Sequence, residues 1–220
     1  MHVSIRSTHR IAEGTSEVVL DGFDDSFDFV PGQYVTITLP TLEHFSPRER
    51  FRDFSVASSP QELPELRIAF RDSESPFKKE LASLSQGTEI ECEGPKGVFT
   101  FDAAEGRPVY CIAGGIGVTP FVSMVRSGVF SVESRHRLYH FNRDLAHTPY
   151  HKELTELLKD QYVAVYESVS EPTLPREDDV QGTHWYIAGP PGMVRSVRDI
   201  LAVRGVPDVH THTEEFSGYE

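Results

Sequence analysis

The chain has 220 residues, of which 38% are hydrophobic and 25% charged, with 16 Gly, 15 Pro and a formal net charge of −13. This is a globular composition with enough apolar residues for a substantial core, which excludes a disordered or fibrous chain. The negative balance repels phosphate backbones, no apolar run approaches the roughly 20 residues that span a bilayer, and the opening residues lack a signal-peptide core; a cytoplasmic protein with no nucleic-acid partner and no membrane span is expected.

Up to about residue 102, short β-rich runs follow one another at 16–20, 34–39, 54–57, 66–70, 89–92 and 98–101. Turn residues separate them, at Gly22, Pro31-Gly32, Ser59-Pro60, Gly87 and Gly94-Pro95. Six such strands predict an antiparallel barrel, with one helix at 76–84. The rhythm changes near residues 103–107, which divides the chain into expected domains 1–103 and 104–220. Beyond the boundary, a continuous apolar run at 109–113 leads through glycines into a helix at 120–126. Strands at 137–141, 162–166, 185–188 and 209–213 then alternate with helices at 150–160 and 193–204, the pattern of a doubly wound parallel sheet. Residues 168–182 are polar, acidic and Pro-containing and read as a surface loop. Cys92 and Cys111 are too few for a disulfide framework or an iron–sulfur site and read as inert core thiols.

Phosphate chemistry belongs at Ala113-Gly114-Gly115-Ile116-Gly117-Val118-Thr119-Pro120, where glycines between a strand and a helix let backbone approach a pyrophosphate. Thr119 is suited to cap the helix, with Pro120 at its first position. The spacing departs from GxGxxG, so a tight structural turn is the competing reading. Gly189-Pro190-Pro191-Gly192-Met193 again lies between strand and helix, and either borders the same cleft or is an ordinary turn. About 25 residues past the first glycines stand Asn142-Arg143; an arginine there suits the 2′-phosphate of NADPH, while Asp144 keeps NADH open and an exposed loop arginine is the plain alternative. In the barrel half, Arg52-Asp53-Phe54-Ser55 sets a cation, an aromatic and a hydroxyl along one extended stretch, either a flavin shelf or a plain strand. Short basic clusters at Arg48/Arg50/Arg52, Lys78/Lys79 and Arg135/Arg137 otherwise read as solvated surface. His210 and His212 lack a third ligand and read as a surface strand, so no metal is expected.

These motifs, in this order, resemble the ferredoxin–NADP reductase superfamily over nearly the whole chain. Phe29-Val30-Pro31-Gly32-Gln33-Tyr34 is similar to its barrel-strand start, Arg52-Asp53-Phe54-Ser55 to its Arg-x-Tyr-Ser flavin motif, and Gly94-Pro95-Lys96-Gly97-Val98-Phe99 to its last barrel turn. Residues 114–120 and 189–193 resemble its nicotinamide motifs. The resemblance implies a flavin, FAD before FMN, with Arg52 on its phosphates, Phe54 against it and Ser55 near its reactive nitrogen. Ser75, Phe77 and Lys78, opening the barrel helix, would complete the pyrophosphate site. NADPH or NADH would bind over Gly115, Gly117, Thr119, Asn142 and Arg143, with Gly189, Pro190 and Met193 lining the transfer site. Phe216 and Glu215, near the end of the sequence, are similar to tails that bring an aromatic or an acid to the flavin; Phe216 is the first choice, and Glu215 reads as an exposed tail acid before a proton relay.

Several positions depart from the family pattern: Phe54 stands for tyrosine, Ala188 for a frequent cysteine, and the barrel helix lacks Gly-x-x-Ser. The function implied is a flavin-dependent oxidoreductase that takes hydride from NAD(P)H and passes electrons to an external acceptor. That acceptor is a small redox protein such as a ferredoxin, a free flavin, a ferric chelate, a quinone or oxygen. The alternative is a noncatalytic electron-transfer or regulatory subunit of a larger redox complex.

Overall fold

The computed structural model describes residues 1–24, 26–44, 46–100, 107–130, 135–176 and 182–216, and only the backbone of Pro47 and Arg48. The boundary expected at 103/104 lies outside the described residues. The first half holds strands β1 (His2–Ala12), β2 (Thr15–Asp21), β3 (Tyr34–Thr38), β4 (Phe51–Ser55), β5 (Leu66–Arg71) and β6 (Glu89–Lys96), with a single turn of helix α1 (Pro47–Arg50) and helix α2 (Pro76–Ser83). Their order is β4-β3-β6-β1-β2-β5, all antiparallel. A bridge between Val56 and Ile68 and the Ala57 N–H on the Arg67 carbonyl join the two edges and close a barrel. Inside it, Val18, Leu20, Val35, Ile37, Leu66, Ile68 and Ile90 form a core at 2% exposure or less.

Strand β1 was not expected. Its centre reads Arg6-Ser7-Thr8-His9-Arg10, and only Val3 and Ile5 are buried, so the strand is recruited by pairing with β2 and β6 rather than by its own apolar pattern. Conversely, the strand expected at 98–101 does not form over 98–100, and Phe101 lies outside the described residues. Phe99 instead leaves the barrel and packs edge-on against Phe121 and Tyr186 of the second half, with ring centroids 5.7 and 5.5 Å away.

The second half is a parallel sheet of β7 (Val109–Gly114), β8 (Arg137–Phe141), β9 (Tyr162–Val165), β10 (His184–Gly189) and β11 (Thr211–Glu215), in the order β11-β10-β7-β8-β9. Helices α3 (Thr119–Arg126), α4 (His151–Leu158) and α5 (Pro191–Val203) connect them. The first strand of the unit, β7, is buried at every position, as a central parallel strand covered on both faces should be. Strand order reverses between β7 and β10, and a ligand crevice is expected outside the carboxyl ends of the strands at that switch point. Among the described residues no helix is long and apolar enough to cross a membrane.

Candidate functional site

On the barrel, Arg52 of β4 lies over the Phe77 ring, 5.4 Å from its centroid, and its Nη1 donates to the Phe51 carbonyl at 2.7 Å. Two further cations gather there. Burial, then the charges of Arg52 and Arg71, hold Lys78 below the ordinary lysine range, with Asp72 opposing. Arg71 ends β5 and is exposed. Ser75, which precedes α2, carries a buried Oγ that finds no hydrogen-bond partner among the described residues. Crowded cations beside a helix start and an orphaned hydroxyl fit a phosphorylated ligand, since an anion would relieve the repulsion and satisfy the hydroxyl. Phe54 and Phe77 are 7% and 1% exposed and belong to the barrel core, their centroids 6.1 Å apart, so they form the floor beneath this cluster.

The α/β half contributes a cleft of about 610 Å³ at the switch point, lined by Gly114, Gly115, Asn142, Arg143, Pro190 and Met193 among others. Gly115 adopts a left-handed φ of +54, and a Cβ there would meet nothing within 4 Å, so its backbone stands open to the cleft. Gly117 behaves differently, because a Cβ there would come within 2.4 Å of the Ala188 carbonyl oxygen. Its small size serves packing of the turn on β10. Thr119 is buried and its hydroxyl donates to the Ile116 carbonyl at 3.1 Å; it is the first residue of α3 and not its cap. Asn142 brings to the cleft a buried Nδ2 with no hydrogen-bond partner among the described residues. Two orphaned polar atoms, Ser75 Oγ and Asn142 Nδ2, thus mark the two places where the sequence predicts ligands.

Behind the glycine turn, His140 is fully buried. Its Nε2 lies 2.8 Å from the Gly115 carbonyl and its Nδ1 lies 3.1 Å from the Tyr162 hydroxyl. Burial first, and the charge of His151 last, push its pKa down to about 4 against the pull of the Gly115 carbonyl, so near neutrality the imidazole is neutral. A neutral ring that donates to Gly115 must accept at Nδ1 from Tyr162, which fixes the tautomer by its partners.

Barrel and sheet meet at Ser55, the last residue of β4, whose Oγ donates to Glu214 Oε2 at 3.4 Å. Glu214 pairs with Ala188 across β10 and β11. Burial pushes its carboxyl up to about 7, with the Ser55 hydrogen bond opposing. Phe216 packs half-buried against the core between the halves, and its N–H donates to the Gly189 carbonyl at 2.9 Å. Glu215 is exposed, in line with its reading as an exposed tail acid. Period-two alternation explains the difference, because His212, Glu214 and Phe216 share the inner face while Thr213 and Glu215 point out. With Phe216 as anchor, that alternation could have picked Glu214 from the sequence. Arg71 was missed too; its signal is a cation closing a strand just before a serine-rich turn into a helix.

His210 and His212 do gain a neighbour, His184, whose ring is stacked 5.5 Å from His212 and whose Nδ1 lies 3.3 Å from His212 Nε2. Among the described residues, no group of three His, Cys, Asp or Glu side chains could hold a metal ion.

The profile of the oxidoreductase NAD-binding domain matches residues 111–199. The chain is 31% identical, over 217 residues, to the reductase component of propane 2-monooxygenase from Mycolicibacterium goodii, covering 87% of this chain and 60% of that one. It therefore spans only about 60% of the length of that curated relative. Among solved structures, it superposes on the flavohem-like FAD/NAD-binding domain of nitric oxide dioxygenase from Vibrio cholerae with a TM-score of 0.79 at 19% identity, covering 98% of each chain. A ferredoxin NADP+ reductase from Neisseria gonorrhoeae with bound FAD and NADP gives a TM-score of 0.78 at 15% identity, again over 98% of each chain.

Proposed function

We propose, from the premise that this chain belongs to the ferredoxin–NADP reductase superfamily, that it transfers hydride from a nicotinamide dinucleotide to bound FAD and passes the electrons to an external acceptor. One observation carries the reading. Arg71, one of the cations gathered around Lys78 on the barrel, also lines the glycine-bordered cleft of the parallel sheet, and Ser55 at the end of β4 meets Glu214 of β11. In this reading residues 1–103 hold the flavin and residues 104–220 the nicotinamide, the division expected from the sequence.

Arg52, Arg71, Lys78 and Ser75 would hold the flavin's phosphates, with Phe54 and Phe77 as the apolar floor. Gly115, Asn142 and Arg143 would hold the dinucleotide, and Gly189, Pro190 and Met193 its nicotinamide end. Gly117 and Thr119 support the turn from behind. A flavin bound there supplies the two-electron acceptor chemistry, and the chain's own task is alignment and proton handling. Glu214, pushed up to about 7, holds or releases a proton near neutrality at its carboxyl, and Ser55 orients that carboxyl. Phe216 covers the junction and excludes water from it.

The similar Mycolicibacterium protein is by name one component of a monooxygenase, which supports a separate oxygenase or small redox protein as the acceptor. The cytoplasm, where reduced dinucleotides are made, is the compartment proposed. The test is the visible spectrum of the protein loaded with FAD, under anaerobic conditions, before and after NADH or NADPH. Bleaching by either donor is expected. A protein that takes up no flavin, or holds flavin that neither donor bleaches, defeats the reading.

A further inference from the structure

The β1–β2 hairpin belongs to the barrel, yet its tip reaches the far end of the dinucleotide cleft. Glu13 and Thr15 line the cleft beside Arg143 and His147. The hairpin is fixed there: the Glu13 N–H donates to the Ala146 carbonyl at 2.8 Å, and Glu13 Oε2 lies 3.5 Å from His147 Nε2. Gly14, with φ +63, permits the tight reversal that points Glu13 at the other half.

Arg143 is the cation that a 2′-phosphate would need, and it is already engaged. Its Nε lies 3.3 Å from Asp144 Oδ2, and its Nη2 contacts the His147 ring. Asp144 in turn holds His147, accepting from its backbone N–H at 3.1 Å and lying 2.6 Å from its Nδ1. Arg71 also lines the cleft, but it acts on Lys78 and so belongs to the cation cluster at the barrel shelf. At the Arg143 corner, therefore, the Asp144 carboxylate holds the arginine directly, and the Glu13 carboxylate stands against His147, whose ring contacts Arg143. A phosphate carrying close to two negative charges must pull Arg143 away from Asp144 and approach Glu13. A ribose diol has no such cost, since its hydroxyls can donate to a carboxylate and accept from the guanidinium.

We propose that Glu13 and Asp144 are specificity-determining residues that reject the 2′-phosphate, so that the donor is NADH and not NADPH, and that selection is made by a barrel hairpin as well as by the sheet. This rests on the cleft being the dinucleotide site. It reverses the preference that Arg143 alone indicates in the sequence.

The experiment is calorimetric titration of the flavin-loaded full chain with ADP-ribose and with its 2′-phosphate, for wild type, Glu13→Gln, Asp144→Asn and Asp144→Asn/Arg143→Ala. Wild type should bind ADP-ribose about tenfold more tightly or better. Each single variant should narrow the ratio at least about threefold through tighter binding of the phosphorylated ligand, and the ratio should shrink as salt screens the exposed Glu13. Removing Arg143 from the Asp144→Asn background should abolish the gain, because the freed arginine is what takes the phosphate. Equal or tighter binding of the 2′-phosphate by wild type overturns the proposal, as does a ratio that neither single variant moves. If neither ligand binds, the dinucleotide site itself is wrong and the proposal falls with it. If ADP-ribose binds but NADH bleaches no flavin, only the hydride-transfer reading fails, and the ratio still decides this one.

Discussion

Glu214 ties stability to pH through one half-buried carboxyl. Folding raises it from 4.5 to about 7, so between those values the folded chain keeps a proton that the unfolded chain has released. Its contribution to stability is whole below about pH 4.5 and is lost as pH rises through about 7. Glu214→Gln should remove this dependence: between about pH 5 and about pH 8, the flavin-free wild type should lose more Tm than the variant does. In the loaded protein, the rate of donor-driven flavin bleaching should lose its inflection near pH 7 in the same variant. Equal losses of Tm, or an inflection that persists, would show that Glu214 does not hold the proton. In the sequence Glu215 and Phe216 draw attention here, and Glu214 is passed over. The expected strand stopped at 213, whereas β11 continues to Glu215 and its alternation carries Glu214 inward.

The glycine turn after β7 shows what a motif can and cannot reveal about an element. The apolar run, the glycines and the following proline gave the strand, turn and helix nearly to the residue, because a buried parallel strand is a continuous apolar run. The division of labour among the glycines was not legible, since it depends on which strand lies behind the turn. Gly115 faces the cleft and Gly117 faces β10. Gly117→Ala should therefore act through the fold: its Cβ would sit 2.4 Å from the Ala188 oxygen and 2.6 Å from Gly189 Cα, both backbone atoms that cannot step aside. The expected cost is about 1–3 kcal/mol, with weaker binding of the dinucleotide and flavin uptake retained by the barrel. Thermal unfolding and separate titrations with NADH and FAD read this directly, and an unchanged Tm with normal NADH binding would sink it. The converse failure is β1, a polar strand whose partners β2 and β6 supply the reason for its existence, so that no local pattern announces it.

Across the whole molecule, the order of barrel and parallel sheet is written in successive runs of sequence, but the contacts that lock one against the other are not. Glu17 of β2 is 4% exposed and accepts from Tyr150 Oη at 2.8 Å and Arg67 Nη1 at 3.0 Å, joining residues 133 positions apart. Beside it, Arg126 makes two hydrogen bonds to Glu153, at 2.6 and 2.8 Å, and donates to the Ala57 carbonyl at 3.1 Å; Ser123 donates to the Ser58 carbonyl at 2.6 Å. Tyr150 is held at a left-handed φ of 58, a strained setting for a non-glycine residue that its surroundings must enforce. A partly buried network between the halves fixes their relative position, and with it the distance between the two proposed ligand sites, where hydride transfer would tolerate little misplacement. Tyr150→Phe removes one hydroxyl and leaves Glu17 with Arg67 alone. It should cost about 1–2 kcal/mol of stability. In rapid-mixing measurements with NADH, it should slow flavin bleaching at saturating donor more than it weakens donor binding, because the cleft itself is untouched while its register against the barrel is loosened. A variant that loses stability but bleaches at the wild-type rate would make this network a fastener only, with no part in setting the geometry of transfer.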